Sequence, residues 1–206
     1  MVIRMTRPRI EFLFDFASPN AYLVAQVLPE LARRHDADVQ LVPCLLGGLF
    51  RLTGNQAPML AFAGVKGKLD YDRLEMERFI ARHGLTRFRM NPHFPVNSLL
   101  LMRAFVAARE AGQGDALLEA GLAGMWEDGL DLSKLDILQA QLEQAGLDGA
   151  ALVARAGAPE IKAALAQATE AAVARGVFGL PSFFVGDEMF FGKERIAQVE
   201  AELSRP

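Results

Sequence analysis

The fold is decided by the nine residues Phe12-Leu-Phe-Asp-Phe-Ala-Ser-Pro-Asn20, in which an apolar run meets a Ser-Pro step. The apolar run predicts a strand over residues 10–16. Ser18 suits the N-cap of a helix, and Pro19 suits its first position because proline lacks the amide proton that this position leaves unpaired. We therefore expect a strand-to-helix corner here, followed by a helix over residues 19–35.

This corner favours an anion. The first-turn amides of a helix have no partner inside the helix, and the helix dipole adds roughly half a positive charge at that end. A serine hydroxyl there can donate a hydrogen bond to a thiolate and lower the pKa of that thiol from about 8.5 by roughly one or two units. Ser18 is therefore a candidate catalytic residue. By itself, the Ser-Pro step is also the pattern of an ordinary helix cap.

A second informative stretch lies near the other end of the chain, between Gly176 and Gly192. Two short apolar runs, 182–185 and 189–191, flank Gly186-Asp-Glu188, and this pattern is typical of a β-hairpin. Pro181 stands directly before the first run, where a missing amide does little harm. A further strand over 39–44 and a closing helix over 193–203 complete the α/β pattern.

The middle of the chain predicts helices, because its apolar residues recur at helical spacing and no strand pattern interrupts them. Ser133 with Asp136 predicts an N-cap, and Pro159 predicts the start of a long helix that ends at Arg175. The predicted organisation is one domain formed by 1–47 together with 176–206, and an inserted all-helical domain formed by 48–175.

Five motifs follow one another along the whole chain: Phe14-Asp-Phe-x-Ser-Pro-x-x-Tyr22, Leu45-Leu-Gly-Gly-x-Phe-x-x-Thr-Gly-Asn55, Lys68 three residues before Tyr71, Phe178-Gly-x-Pro-Ser182 and Phe191-Gly-x-x-Arg195. In this order they make the chain resemble the kappa-class glutathione transferases, and among these the bacterial 2-hydroxychromene-2-carboxylate isomerases. The resemblance implies a thioredoxin-like fold with a large all-helical insertion between the second strand and a hairpin that follows a cis-proline, Pro181. Ser18 stands where related redox proteins carry the leading cysteine of Cys-x-x-Cys.

The resemblance implies glutathione as the cofactor. Ser18 would activate its thiol, and the backbone of Leu180 would pair with its cysteinyl part. The other cofactor-binding residues are the neighbours of these two and the side chains matched to the family: Asn20, Asn55, Lys68, Pro181, Lys193 and Glu194. Relatives often carry a small polar residue and Asp where this chain has Lys193 and Glu194, so we expect a changed hold on the γ-glutamyl end.

The implied activity is the glutathione-dependent isomerisation of 2-hydroxychromene-2-carboxylate, or of a similar small aromatic carboxylate, in aromatic degradation. Asn97 and Tyr22 are the candidate substrate contacts. Two alternatives stay open: a kappa-class transferase that conjugates electrophiles permanently, and a non-catalytic DsbA-like protein that binds peptides. Since relatives are commonly homodimers, we expect a homodimer.

Composition excludes several partners. The 206 residues carry a net charge of only -3 and no basic block, so neither a nucleic acid nor an anionic membrane is expected as a partner. No run is apolar enough for a secretory signal or a membrane span, which predicts a cytoplasmic protein. The single cysteine, Cys44, predicts a buried, inert thiol, and the three histidines have no metal-ligand spacing.

Overall fold

The computed structural model describes residues 7–205, and within that range the chain forms four strands and ten α-helices. The strands are β1 (Arg9–Phe14), β2 (Asp38–Pro43), β3 (Ser182–Val185) and β4 (Glu188–Phe191). The helices are α1 (Pro19–Arg34), α2 (Leu46–Thr53), α3 (Pro58–Ala61), α4 (Lys68–His83), α5 (Leu99–Glu110), α6 (Gly114–Trp126), α7 (Leu135–Gln144), α8 (Gly149–Arg155), α9 (Pro159–Ala174) and α10 (Ile196–Leu203).

The sheet has the strand order β2-β1-β3-β4, with β1 parallel to β2 and antiparallel to β3. Leu13, near the end of β1, pairs with Ser182 at the start of β3. The strand end that leads into α1 therefore lies beside the loop that contains Pro181. The predicted α/β fold with helices inserted between the second strand and the hairpin is confirmed.

Both faces of the sheet are covered, which explains why β1 is a nearly continuous apolar run. Phe12 and Phe14 point into the main core, where Phe12 stacks on Phe183 with ring centroids 5.6 Å apart. Leu13 points to the opposite face and packs in a smaller cluster with Cys44 and Leu180. The alternation along β1 thus places the residues that precede the corner in two separate apolar layers.

The inserted helices are attached to the corner itself. Trp126, at the end of α6, is completely buried and donates its indole N–H to the carbonyl of Phe16 at 2.8 Å. A single core cluster contains residues of β1, α1, α5 and α6. The division at 47/48 and 175/176 stays a prediction. None of the helices in residues 7–205 combines the length and the apolar character that crossing a bilayer requires.

Candidate functional site

The Ser18 corner, residues 15–20, is the loop that joins β1 to α1. Ser18 is the N-cap of α1 in extended conformation, and its hydroxyl oxygen accepts a hydrogen bond from the amide of Ala21 at 3.2 Å. Pro19 follows as the first helical residue, as predicted. The first turn of α1 contains no acidic side chain that would neutralise the positive end of the helix.

The loop before β3 closes the other side of this corner. The Leu180–Pro181 peptide bond is cis, as the resemblance implies. Ser18 donates its hydroxyl proton to the carbonyl of Leu180 at 3.3 Å. The amide of Gly192 donates to the carbonyl of Pro181 at 2.9 Å, which fixes the loop to the end of β4. The structure therefore brings Ser18, Leu180 and Pro181 together.

One backbone amide and one side-chain oxygen at this corner have no hydrogen-bond partner among the described residues. The amide of Leu180 has no hydrogen-bond acceptor within residues 7–205. The side-chain oxygen of Asn20, in the first turn of α1, is buried and has no hydrogen-bond donor in the same range. The Leu180 amide therefore suits the carbonyl of a peptide-like ligand, whereas the Asn20 oxygen is enclosed by the protein's own atoms.

Lys193 lies close to Pro181, because the amide of the preceding residue, Gly192, donates to the Pro181 carbonyl. Its side chain is only 4% exposed and pairs with the carboxylate of Glu194. Lys193 also lies near α4. Arg78 is the main cause of the lowered pKa of Glu75 in that helix, and the positive charge of Lys193 lowers the same pKa further. A mostly buried ammonium with one carboxylate partner can pair with a ligand carboxylate.

Asn55 and Lys68 lie in what we call the arm, residues 54–83, which contains α3 and α4. Asn55 is exposed just beyond the left-handed Gly54 that ends α2. Lys68 begins α4, pairs with Asp72 and lies 5.1 Å from the ring centre of Phe62. In the part of the chain that the structure describes, neither side chain makes a hydrogen bond to the Ser18 corner.

The two candidate substrate contacts differ in access. Tyr22 is 1% exposed and donates its hydroxyl to Glu127 at 2.9 Å, and Arg87 pairs with the same carboxylate at 3.3 Å. Burial and the neighbouring Glu127 raise the pKa of Tyr22, so it stays protonated. Asn97 is exposed at the start of α5, where its side-chain oxygen accepts from the amide of Leu99 at 3.0 Å.

Sequence reasoning missed Asp15 as a residue of this site. Its side chain is completely buried and accepts hydrogen bonds from the amides of Ala17 at 2.9 Å and Leu46 at 2.8 Å. Burial raises the pKa of Asp15, while hydrogen bonds from Ser98 and those two amides act in the opposite direction. The available signal was a carboxylate in an otherwise apolar run next to a helix start.

Cys44 lies behind the corner in the smaller apolar cluster. It is buried, as predicted, and burial together with the charge of Asp15 raises the pKa of its thiol to about 12. Such a thiol is a poor nucleophile at neutral pH. Across residues 7–205, no group of three or more His, Cys, Asp or Glu side chains is arranged to hold a metal ion.

Comparisons with known proteins agree with this geometry. Residues 9–204 match the family described as DSBA-like thioredoxin domain, and the chain belongs to this family. A 2-hydroxychromene-2-carboxylate isomerase from Sphingobium xenophagum is 30% identical over 94% of this chain and 97% of its own length. Human glutathione S-transferase kappa 1 is 26% identical over 91% of this chain and 87% of its own.

The structure of a 2-hydroxychromene-2-carboxylate isomerase superposes with a TM-score of 0.81 at 26% identity, and the match covers 96% of this chain and 95% of the other. The resemblance deduced from the motifs is therefore confirmed. The named relatives also confirm the predicted class, an enzyme of the isomerase or glutathione-transferase type.

Proposed function

We propose that this chain is a glutathione-dependent isomerase that acts on 2-hydroxychromene-2-carboxylate or a similar small aromatic carboxylate. The observation that carries the proposal is the contact between the Ser18 hydroxyl and the Leu180 carbonyl at the positive end of α1. That contact places a hydroxyl donor, a helix N-terminus and a free backbone amide in one corner. The relatives named isomerase supply the substrate class.

The proton of the Ser18 hydroxyl has two possible acceptors in this proposal. Without a ligand it is donated to the Leu180 carbonyl, at a rather long 3.3 Å. A peptide that pairs with Leu180 as an added strand brings its own amide donor to that carbonyl and its own carbonyl to the Leu180 amide. Ser18 can then turn its proton to the peptide's sulfur while its oxygen still accepts from Ala21.

Bound glutathione would supply a thiolate that adds reversibly to a carbon of the substrate and leaves again after rearrangement. The role of the protein is to keep that sulfur ionised. Hydrogen bonds to the charged form and the positive end of α1 both lower a thiol pKa. Since Ser18 and Ala21 stand at the two positions of a Cys-x-x-Cys pair, the corner can neither form nor resolve a disulfide.

The two ends of glutathione would be held by different parts of the chain. Lys193, with Glu194 beside it, lies next to the cis-proline loop and suits a carboxylate of the γ-glutamyl end. Asn55 and Lys68 on the arm suit the glycyl carboxylate. Asn20, the second residue of α1, would border the sulfur without bonding it through its enclosed side-chain oxygen.

The substrate would lie against the apolar residues between the corner and the inserted helices. Asn97 is exposed and can bond a carboxylate or phenol oxygen directly. Tyr22 can contact the substrate with its hydroxyl only when it leaves Glu127. Substitution of Tyr22 by Phe therefore separates a substrate contact, which would change the KM, from a structural bond, which would change stability alone.

The test has two steps. Calorimetry with reduced glutathione should show a single site, and S-methylglutathione should bind more weakly because it cannot form the thiolate. Purified enzyme is then incubated with the chromene acid and a limiting amount of glutathione. Many turnovers per glutathione support the isomerase. Absence of binding would leave the peptide-binding alternative.

A kappa-class transferase is the second candidate, favoured by the match to the human transferase. It would use the same corner, but glutathione would be consumed in proportion to product. The incubation above distinguishes the two activities.

A homodimer is part of the proposal, because the arm exposes the apolar side chains of Leu60, Phe62 and Val65. Exposed apolar patches of this kind mark contact surfaces. Light scattering should give twice the chain mass, and Leu60→Glu should lower it.

A further inference from the structure

Asp15 connects the segment that precedes α1 to the start of α2 through one buried carboxylate. One carboxylate oxygen accepts from the amide of Ala17, just before α1, and the other accepts from the amide of Leu46, the first residue of α2. The buried side chain of Ser98, the N-cap of α5, lies close enough to lower the pKa of the same group. The backbone carbonyl of Asp15 also accepts from the amide of Ser18 at 3.0 Å.

Unlike α1, which Ser18 caps, neither α2 nor α5 is capped by the side chain of its own N-cap residue. The N-cap of α2 is Leu45, which has no polar side chain, and Ser98 makes no hydrogen bond to the amides of its own helix. Helix starts usually obtain their acceptor from the N-cap residue. Here α2 obtains it from a residue 31 positions earlier in the chain. The start of α2 is therefore held by distant residues: Asp15 accepts from the amide of Leu46, and the hydroxyl of Thr169 accepts from the amide of Leu45 at 3.0 Å.

Only an acidic side chain of this length suits these partners. A carboxylate accepts on both oxygens, so it can bond the two amides at once. An asparagine has a single acceptor oxygen, and its NH₂ group would face one of the two backbone N–H groups. Asp15→Asn thus removes one link while it preserves shape and volume.

We propose that Asp15 is a positioning residue. It holds the start of α2 at a fixed distance from Ser18, and α2 in turn fixes the position of Asn55. The inference rests on the proposed function, in which Ser18 and Asn55 hold different parts of glutathione. Its path is short, since α2 is eight residues long and Asn55 follows its C-terminal glycine directly. One residue is bonded both to Ser18 and to the first residue of α2.

The experiment measures glutathione affinity by calorimetry in a double-mutant cycle of Asp15→Asn and Asn55→Ala. Asp15→Asn should weaken binding roughly tenfold, because a small displacement of a binding group is costly. The double variant should bind about as weakly as Asp15→Asn alone, because Asn55 is then no longer held in place. Val153→Ala, a buried residue of α8, is the stability control: it should lower the melting temperature and leave the affinity unchanged.

A second measurement needs no cofactor. Hydrogen exchange should show faster exchange of the Leu46 amide in Asp15→Asn than in the wild type, and no such change in Val153→Ala. If Asp15→Asn does not fold, Ser98→Ala replaces it in both measurements, with an expected loss of roughly two- to threefold in affinity because it removes a buried polar neighbour of the carboxylate and leaves the two amide bonds in place.

The outcomes are distinguishable. Unchanged affinity in Asp15→Asn, or losses that multiply in the double variant, would overturn the positioning role. If the wild type itself does not bind glutathione, the proposed function fails. The exchange of Leu46 then still decides whether Asp15 holds α2: faster exchange supports that link, and unchanged exchange overturns it.

Discussion

At the Ser18 corner, hydrogen bonds join residues that are far apart in sequence, whereas the polar side chains of the arm, within residues 7–205, bond only their neighbours. Ser18 and Leu180 are 162 residues apart, and Asp15 and Leu46 are 31 apart. Lys68, in contrast, pairs with Asp72 four residues away. The polar groups of the corner are thus positioned by the whole fold, whereas those of the arm are positioned by local helix geometry, although α4 itself packs on the core through Phe79.

The difference indicates that the corner stabilises charge during the reaction and that the arm holds the ligand. A group that stabilises charge during a reaction must be fixed before the reaction begins, because reorientation would cost part of the stabilisation. Groups that only hold a ligand can adjust on binding, at some cost in affinity. We therefore expect changes in the corner to affect turnover or reactivity strongly, and changes in the arm to affect affinity moderately.

The largest effect concerns Cys44, on the buried side of the corner. With a thiol pKa of about 12, Cys44 should be alkylated by iodoacetamide about a thousandfold more slowly than an ordinary cysteine. Rates are measured in native protein and in urea, where the thiol becomes ordinary. A cysteine placed in the arm by Lys66→Cys is the contrast and should react at the ordinary rate. Rapid alkylation of native Cys44 would show that the corner opens freely.

The next effect concerns Ser18. Ser18→Ala removes the only side-chain hydroxyl proposed to donate to the sulfur, so the pKa of bound glutathione should rise and kcat should fall roughly 10- to 100-fold. Affinity should change less, because the Leu180 backbone remains. Thiolate absorbance in the ultraviolet measures the pKa, and Ser133→Ala, which removes a distant hydroxyl, is the control. Normal turnover with a normal thiolate signal would exclude the proposed role.

In the arm we expect a smaller change. Lys68→Gln should raise the Kd for glutathione roughly two- to fivefold at low salt, because partly exposed ion pairs are worth at most about 1 kcal/mol. The difference should shrink as salt is added, and kcat at saturating glutathione should stay the same. Lys66→Gln removes a charge of the same sign two residues earlier and should bind normally. A large loss of kcat in Lys68→Gln would contradict the division between corner and arm.

The sequence predicted what depends on local pattern. Ser18 at the N-cap, Pro19 at the first helical position and the helix that starts at Pro159 all follow from side-chain chemistry within a few residues. Ser133 was predicted to cap α7 and does not: Lys134 is the N-cap, and the Ser133 hydroxyl bonds Asp131 instead. As a cap, the Ser133 hydroxyl would accept from an amide of α7; instead Asp131 accepts from both the amide and the hydroxyl of Ser133, a turn that the pattern alone did not reveal.

The sequence could not predict the bonds between distant segments. The partner of Tyr22 is Glu127, 105 residues later, and the acceptor for the start of α2 is Asp15. Such pairs depend on how the inserted helices pack on the sheet, which no periodicity encodes. The candidate residues of the arm were found only through the family resemblance, since by local pattern Asn55 and Lys68 are ordinary surface residues.

The smallest effect tests whether ionisation of the buried Asp15 lowers the stability of the ligand-free protein. Burial raises the pKa of Asp15 above its ordinary value, so the folded protein holds that proton more tightly than the unfolded chain does. The stability contributed by protonated Asp15 is complete below the unfolded pKa of about 3.9 and is lost as pH rises through the folded pKa. Asp15→Asn cannot ionise and escapes this loss, although it lacks one hydrogen bond at every pH.

The melting temperature of the wild type minus that of Asp15→Asn should therefore be largest near pH 4 and decline as pH rises. The subtraction cancels the titration of all other carboxylates, which both proteins share. A matched exposed variant, Asp187→Asn, should show no such decline, because its carboxylate lies in the hairpin turn and is open to water. A difference that grows with pH would mean that the hydrogen bonds of Asp15 outweigh its burial, and that the corner gains stability from this charge.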